Sequence, residues 1–160
     1  RDGAEAPPAP EELRIRGNAF FQQGAYAEAV EAYTLALASL RDGRRHHQGP
    51  REEEDGAGAA TFVKVLTNRS AAYAKLGQWP ESLVDAQRAA DSDPSSVRAQ
   101  YRRGLALAAL DCLAEALEAV AAARALDPAN AQLRSLEAEV QARVRLGFQS
   151  GRAGEVEQHR

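Results

Sequence analysis

Two pairs of polar side chains recur four residues apart in this sequence: Arg14 with Asn18, and Arg98 with Arg102. Residues at this spacing lie on one stripe of an α-helix. Guanidinium groups and amides are the side-chain donors that hold carboxylates and peptide carbonyls. Each pair could therefore contribute to a site that captures an acidic group, if the fold brings the pairs together.

A self-similar stretch indicates the fold that would position these residues. Residues 68–94 align with residues 102–128 without a gap, at an offset of 34 residues. Small residues recur where two helices would cross, and a proline ends each unit. The equivalent residues are Ser82 and Ala116, Ala89 and Ala123, and Pro94 and Pro128. This period and pattern resemble the tetratricopeptide repeat, a hairpin of two α-helices.

The same frame covers most of the chain. With the closing proline as position 32, two units start at Val63 and Val97, and the opening segment fits the same frame if its unit starts at Pro10. The resemblance implies an all-α fold in a domain of residues 10–147: a right-handed superhelix of three helical hairpins followed by a capping helix. The repeats are expected at about 10–40, 63–94 and 97–128. Helices are predicted near 11–23, 27–40, 60–76, 80–91, 96–110, 113–126 and 130–147.

Patterning and composition describe the segments outside the repeats. The capping helix at 130–147 is predicted from an apolar stripe that would cover the flank of the last repeat. The stripe consists of Leu133, Leu136, Val140 and Val144. The insertion at 41–60 is rich in charge and glycine, so either a mobile loop or an elongated helix end is expected there. Residues 1–9 and 148–160 are predicted to be disordered tails.

Bulk composition excludes several classes of protein. The 160 residues are 44% hydrophobic and 6% aromatic, which favours a globular helical domain. A net charge of −3 and a pI near 5.7 argue against a general nucleic-acid binder. No run of 18 apolar residues is present, so no membrane span is expected. The chain begins at Arg1 rather than Met, from which we expect a piece excised from a longer protein.

Neither metal binding nor catalysis is indicated. His46 and His47 lack a third ligand at suitable spacing, so a solvated loop is expected for them. Cys112 is the single cysteine and cannot form an intramolecular disulfide, which favours a reducing compartment. The sequence contains no Ser-His-Asp set and no phosphate-binding glycine loop. We therefore expect neither an enzyme nor a cofactor.

Helical geometry assigns the polar pairs to one surface. At about 100° per residue, repeat positions 4, 8 and 11 share an arc that packs on neighbouring helices, whereas positions 2, 5, 6 and 9 lie opposite. In a stack of hairpins the first helix of each unit lines the concave groove, so the second arc faces that groove. Its predicted polar members are Arg14, Asn18, Asn68, Arg98 and Arg102. None of these five is acidic, although the chain has 23 Asp and Glu residues.

Two further residues extend the predicted site. Lys75 follows Asn68 by seven residues on the same stripe and would add a donor. Phe21, at position 12 of the first unit, would form the wall of an apolar pocket for an aliphatic side chain of the ligand.

The five polar residues resemble the carboxylate clamp of chaperone-adaptor tetratricopeptide domains. There, Lys, Asn, Asn, Lys and Arg hold the C-terminal Glu-Glu-Val-Asp tail of the large cytosolic heat-shock chaperones, the 70 and 90 kDa classes. Here "RIRGN" supplies Arg14 and Asn18, "NRSAAYAK" supplies Asn68, and "RAQYRR" supplies Arg98 and Arg102. Two lysines of the pattern are arginines, which keeps the charge and changes the donor geometry. The resemblance implies a monomeric co-chaperone adaptor module in the cytoplasm, with the nucleus as a second compartment.

A different interpretation of the same groove stays open. A repeat scaffold could bind another protein or peptide in its groove, or through the insertion, without recognising a free carboxylate. An acidic C-terminus from an unrelated partner is the intermediate case. Nucleic acid is not expected as a partner, because the candidate stacking aromatics fall on core or turn positions of the repeats. They are Phe20, Tyr26, Tyr33 and Tyr73.

Overall fold

The computed structural model of the protein describes residues 6–46 and 54–157. These residues form seven α-helices and contain no strand. The helices are α1 (Pro10–Gln22), α2 (Tyr26–His46), α3 (Glu54–Lys75), α4 (Trp79–Ser92), α5 (Val97–Ala109), α6 (Leu113–Leu126) and α7 (Ala131–Glu157).

Prolines set where several helices begin and end. Pro10 and Pro80 occupy the first turn of α1 and α4, where the missing N–H has no partner in the helix anyway. Asp93 and Asp127 each precede a proline, which disfavours the helical conformation at that residue. Both adopt φ of −140°, with ψ of 89° and 81°, and they end α4 and α6. The 34-residue spacing of the prolines is therefore the spacing of equivalent helix ends.

Each hairpin turns at a residue with a left-handed backbone. The φ angle is 76° at Gly24, 71° at Gly77 and 62° at Asp111. In all three hairpins the backbone N–H of the residue that follows the left-handed one donates to the carbonyl five residues before it, at 2.9 Å. Glycine adopts this conformation without a steric cost, and aspartate is one of the few other residues that visit it. The three turns are therefore equivalent, although the third has no glycine.

The hairpins stack into one superhelix. Successive hairpins meet where α2 packs on α3 and α4 packs on α5. The first helices of the hairpins also contact one another, because α3 lies between α1 and α5. Fully buried alanines occupy the helix crossings: Ala29, Ala36, Ala89, Ala116 and Ala123. The predicted all-α fold is confirmed, and α1, α3 and α5 form its inner layer.

The seventh helix covers the last hairpin. Leu133, Leu136 and Val140 are buried where α7 packs on α6 and α5. Val144, the fourth residue of the predicted stripe, is 41% exposed. This part of α7 lies beside the C-terminal end of α5, where the neighbouring Arg143 donates to the carbonyl of Ala108 at 2.7 Å.

Three helices are longer than the sequence predicted. α2 continues to His46 and α3 starts at Glu54, so elongated helix ends form both sides of the insertion at 41–60. Its residues 47–53 lie outside the described residues. The backbone of α7 is helical to Glu157, where a disordered tail was expected from 148. Of the expected N-terminal tail, the exposed residues 6–9 precede α1; residues 1–5 and 158–160 are not described.

Glycine and charge at the insertion are compatible with either a loop or an elongated helix end, and the described residues 41–46 and 54–60 are helical. A Cβ at Gly43, Gly56 or Gly58 would meet nothing within 4 Å, so these glycines lie in open space and no packing requirement distorts them. Each costs a helix only about 1 kcal/mol relative to alanine. In the described part of the chain, no helix has the length and apolar character needed to cross a bilayer.

Candidate functional site

One open pocket on the inner layer brings together all five predicted polar residues. Its volume is about 230 Å³. The residues lining it are Arg14, Asn18, Phe21, Gln22, Tyr33, Asn68, Ala71, Arg98 and Arg102. They belong to α1, α2, α3 and α5, so all three hairpins contribute to the pocket.

The two asparagines lie at the centre of a hydrogen-bond chain. Asn68 Nδ2 donates to Asn18 Oδ1 at 2.9 Å. The hydroxyl of Tyr33 donates to the same oxygen at 2.7 Å. Arg98 Nη2 donates to Asn68 Oδ1 at 3.4 Å. The amide oxygens are therefore occupied by donors from the protein, which leaves the Asn18 N–H groups for a ligand.

Two of the three cations are not paired with an acid of the described part of the chain. Among the described residues, neither Arg98 nor Arg102 forms an ion pair, and the Arg102 guanidinium lies over the Tyr101 ring, 5.6 Å from its centroid. Burial, and then the charge of Arg98, lower the pKa of Arg102. Arginine stays protonated at neutral pH even so. The repulsion between two unneutralised guanidinium groups would be relieved by an anionic ligand.

The third cation is paired within its own helix. The Arg14 guanidinium donates to both carboxylate oxygens of Glu11, with Nε 2.9 Å from Oε2 and Nη2 in contact with Oε1. Glu11 is exposed, and its carboxylate also interacts electrostatically with Lys64 on α3. The hydrogen bond from Arg14 lowers the pKa of Glu11 below its ordinary value. An anionic ligand at Arg14 would compete with this carboxylate.

Sequence reasoning missed Glu11 and Lys64, although a signal for them existed. Both occupy position 2 of their units, on the same arc as the five predicted residues. Gln22 and Tyr33 were also missed as lining residues. Tyr33 was assigned to the core, and it is indeed only 1% exposed. Its ring is buried, whereas its hydroxyl reaches the pocket.

Phe21 and Lys75, the two residues expected to extend the site, differ in placement. Phe21 lines the pocket and packs edge-to-face on Tyr26, with ring centroids 5.1 Å apart. Lys75 is exposed in the last turn of α3 and is not among the lining residues. Seven residues of helix advance about 10 Å along the axis, which carries Lys75 past the pocket. The role of both residues in binding stays a prediction.

The pocket is suited to a terminal carboxylate group. Its described lining contains three guanidinium groups, amide donors, two aromatic side chains and no carboxylate. Two carboxylates close together need a cation or a strong donor for each, and this set supplies both. In the described residues, no group of three His, Cys, Asp or Glu side chains could hold a metal ion. His47 and the side chain of His46 lie outside what is described.

Comparison with protein families agrees with this architecture. The tetratricopeptide repeat family model matches residues 2–44 and 68–131, which is more than half of the chain. The chain belongs to the tetratricopeptide repeat family. Tetratricopeptide repeats are protein-interaction modules and are not an enzyme family. The gap in the match, residues 45–67, covers most of the insertion and α3 up to the residue before Asn68.

The chain is also similar in sequence to parts of longer proteins. The chain is similar to protein unc-45 homolog B of Xenopus tropicalis, with 30% identity over 121 residues, 76% of this chain and 11% of that protein. It is also similar to Hsp70-Hsp90 organizing protein 3 of Arabidopsis thaliana, with 35% identity over 98 residues, 61% of this chain and 14% of that protein. The chain thus spans between a tenth and a seventh of the length of these two relatives.

A solved tetratricopeptide domain is similar over nearly its whole length. The second such domain of human RPAP3, solved in complex with the HSP70 peptide SGPTIEEVD, is 30% identical to this chain with a TM-score of 0.65. The similarity covers 83% of this chain and 98% of that domain.

Proposed function

We propose that this tetratricopeptide domain is a co-chaperone adaptor that binds the acidic C-terminal tail of 70 and 90 kDa heat-shock chaperones. The observation that carries the proposal is the convergence of Arg14, Asn18, Asn68, Arg98 and Arg102 on one pocket. The RPAP3 domain was solved with an HSP70 peptide that ends in Glu-Glu-Val-Asp. The Arabidopsis relative is named for organising Hsp70 and Hsp90.

Three of these donors and one aromatic residue contact the tail directly in this proposal. A tail that ends in Asp presents two carboxylates, one from its side chain and one from the chain terminus. Arg98 and Arg102, which have no ion-pair partner among the described residues, neutralise these groups. Asn18 donates to the terminal carboxylate or the last peptide carbonyl. Phe21 contacts the aliphatic side chain that precedes the terminal Asp. Capture of a free C-terminus in a groove is a recurrent mode of peptide recognition.

The proposal is tested by titrating the 160-residue chain with a peptide ending in Glu-Glu-Val-Asp and with the same peptide amidated at its C-terminus. We expect micromolar affinity for the acid peptide, about −8 kcal/mol. This affinity should fall as salt is raised, because the charges at the groove are partly screened. The amidated peptide should bind much more weakly. Equal affinity for the two peptides would reject the proposal and favour a groove that does not read a free carboxylate.

Adjacent arginines supply a matched pair of variants. Arg102 lines the pocket, whereas Arg103 donates to Gln100 at 3.4 Å and is not among the lining residues. Arg102→Ala should weaken binding of the acid peptide by about 2 kcal/mol or more, because a ligand carboxylate loses its cation. Arg103→Ala makes the same change in net charge and should act on folding instead. Similar losses of affinity in both variants would indicate a general effect of charge.

This role implies a location where these chaperones are found. The proposed partners are the cytosolic heat-shock chaperones, so the domain is proposed to act in the cytoplasm; the nucleus stays a prediction. The recognised peptide decides between the two chaperone classes. Titration with tails of both classes, side by side, measures that preference directly.

A further inference from the structure

The hydrogen-bond chain of the pocket starts from a buried residue of α2. Tyr33 is 1% exposed. Its hydroxyl shares Asn18 Oδ1 with Asn68 Nδ2, at 2.7 and 2.9 Å. If the Asn18 amide turned over, its nitrogen would face the Asn68 nitrogen, and two donors would meet. The two bonds therefore fix the amide with its oxygen toward the protein, and within the described residues both N–H hydrogens of Asn18 remain for a ligand.

The Tyr33 hydroxyl is not needed to build a hairpin. The equivalent position holds Ala86 in the second repeat and Val120 in the third. Both are fully buried, at 0% exposure, and neither carries a polar group. Among the described residues, the hydrogen-bond partner of the Tyr33 hydroxyl is Asn18, a residue of the candidate site. The hydroxyl of Tyr33 thus belongs to the pocket, and its ring packs in the core.

The position of the ring is tightly determined. A Cβ added to Gly17 would lie 2.4 Å from Tyr33 Cε1, so the ring packs directly on the α1 backbone next to Asn18. Burial raises the pKa of Tyr33 to about 12, so the hydroxyl keeps its proton at neutral pH. A protonated hydroxyl held in place is a permanent donor to Asn18.

We propose that Tyr33 is a positioning residue of the carboxylate site, acting through Asn18: its hydroxyl orients the Asn18 amide so that the N–H groups meet the terminal carboxylate of the ligand. This inference rests on the proposed function. It adds a fourth helix, α2, to a site whose predicted ligand contacts come from α1, α3 and α5.

Tyr33→Phe tests the proposal, because it keeps the ring and removes only the hydroxyl. We expect affinity for the peptide ending in Glu-Glu-Val-Asp to fall about fivefold, the effect of one lost hydrogen bond. The ratio of affinities for the acid and amidated peptides should fall with it. Tyr73→Phe is the matched control, since Tyr73 lies on α3 against the Arg69 guanidinium and is not among the lining residues. It should leave binding unchanged.

A double-mutant cycle separates positioning from a general effect on the fold. In an Asn18→Ala background, Tyr33→Phe should have no further effect on affinity, because the group through which the hydroxyl acts is gone. An unchanged affinity in the single variant would overturn the proposal. So would the same fivefold loss in both backgrounds.

A failure of the proposed function can be distinguished from a failure of the positioning role of Tyr33. If the wild-type domain does not prefer the acid peptide, the proposed function fails on its own. The positioning role is then decided by the NMR signals of the Asn18 side-chain NH2 group in the free domain. A change in their chemical shifts and exchange in Tyr33→Phe, and none in Tyr73→Phe, would support the orienting bond. Unchanged signals in both variants would overturn it.

Discussion

Glu11 lies one helical turn before Arg14, and its two carboxylate oxygens accept hydrogen bonds from that guanidinium. The protein's own carboxylate therefore occupies a cation that the proposed ligand would use. A ligand that reaches Arg14 must displace Glu11 or share the guanidinium with it. Because the pair is at the surface, the displacement costs little, on the order of 1 kcal/mol or less.

Glu11→Gln is expected to tighten binding of the acid peptide by about two- to fivefold, since it removes a competing anion of modest strength. Glu12→Gln is the control: it makes the same change in net charge on the next residue, which is exposed and outside the pocket. Calorimetric titration of both variants measures the difference. Equal gains in the two variants would mean that only the net charge of the domain matters.

Lowering the pH is a poorer way to release Arg14. The hydrogen bond from Arg14 lowers the pKa of Glu11, so Glu11 remains ionised until the solution is more acidic than the ordinary range of a glutamate. The carboxylates of an acidic peptide would be protonated at the same time or earlier, and binding would be lost for that reason. The substitution isolates the contribution of Glu11, whereas acidification does not.

Much of the fold could be predicted because local signals agreed with one another. Prolines 34 residues apart mark equivalent helix ends, and small residues mark helix crossings. The five polar residues of the pocket could be predicted for the same reason, since a fixed position in a regular helix determines the direction of a side chain. The same rule therefore predicts the direction of the Asn18 side chain in the first hairpin and of the Arg102 side chain in the third.

Other features depend on how far a side chain reaches or on how a helix continues, and periodicity does not encode these. Position 24 predicts that the Tyr33 ring is buried, but not that its hydroxyl ends beside Asn18. The same arithmetic places Lys75 on the right stripe and says nothing of its distance from the pocket. Glycine and charge at 41–60 describe a solvated surface, which a protruding helix and a loop share.

Gly17→Ala is expected to destabilise the domain by about 1–3 kcal/mol, the usual cost of forcing extra atoms into a packed core. The new Cβ would lie 2.4 Å from the Tyr33 ring, which cannot move without disturbing the first hairpin. Gly43→Ala is the control, since a Cβ there meets nothing within 4 Å in α2. It should stabilise the helix by about 0.5–1 kcal/mol. Denaturant unfolding measures both, and a neutral Gly17→Ala would contradict this packing.

Asp85→Ala should be among the most destabilising substitutions in the second hairpin. Asp85 is 1% exposed and accepts two hydrogen bonds from Arg69, at 2.7 and 2.8 Å. Removing the acid leaves a half-buried guanidinium without its anion, which costs about 3–5 kcal/mol. Asp42→Ala breaks an exposed pair with Arg41 and should change the free energy of unfolding by less than about 1 kcal/mol.

The third hairpin indicates how the loss at Asp85 can be reduced. Arg103 occupies the position of Arg69, and Ala119 occupies that of Asp85, so this repeat folds without the acid. Replacing both members of the pair, as Arg69→Leu with Asp85→Ala, should therefore cost less than Asp85→Ala alone. A double variant that is less stable than the single one would contradict this expectation. It would show that the other contacts of Arg69, with Thr34 Oγ1 and the Tyr73 ring, stabilise the hairpin more than the unpaired cation destabilises it.

Asp111 supplies the left-handed residue of the third turn, where Gly24 and Gly77 serve the first two. Asp111→Gly should raise the free energy of unfolding by about 0.5 kcal/mol. The substitution stabilises the domain because it relieves a conformation that costs an L-residue about 1–2 kcal/mol. Part of this gain is offset because the exposed ion pair with Arg143 is lost. Asp111→Ala loses the ion pair without relieving the backbone, so it should be less stable than the wild type. In denaturant unfolding, the expected order of stability, from highest to lowest, is the Gly variant, the wild type and the Ala variant. Equal stability of the Gly and Ala variants would show that the backbone conformation at this turn does not limit folding, and that the ion pair with Arg143 is the reason for an acid at this position.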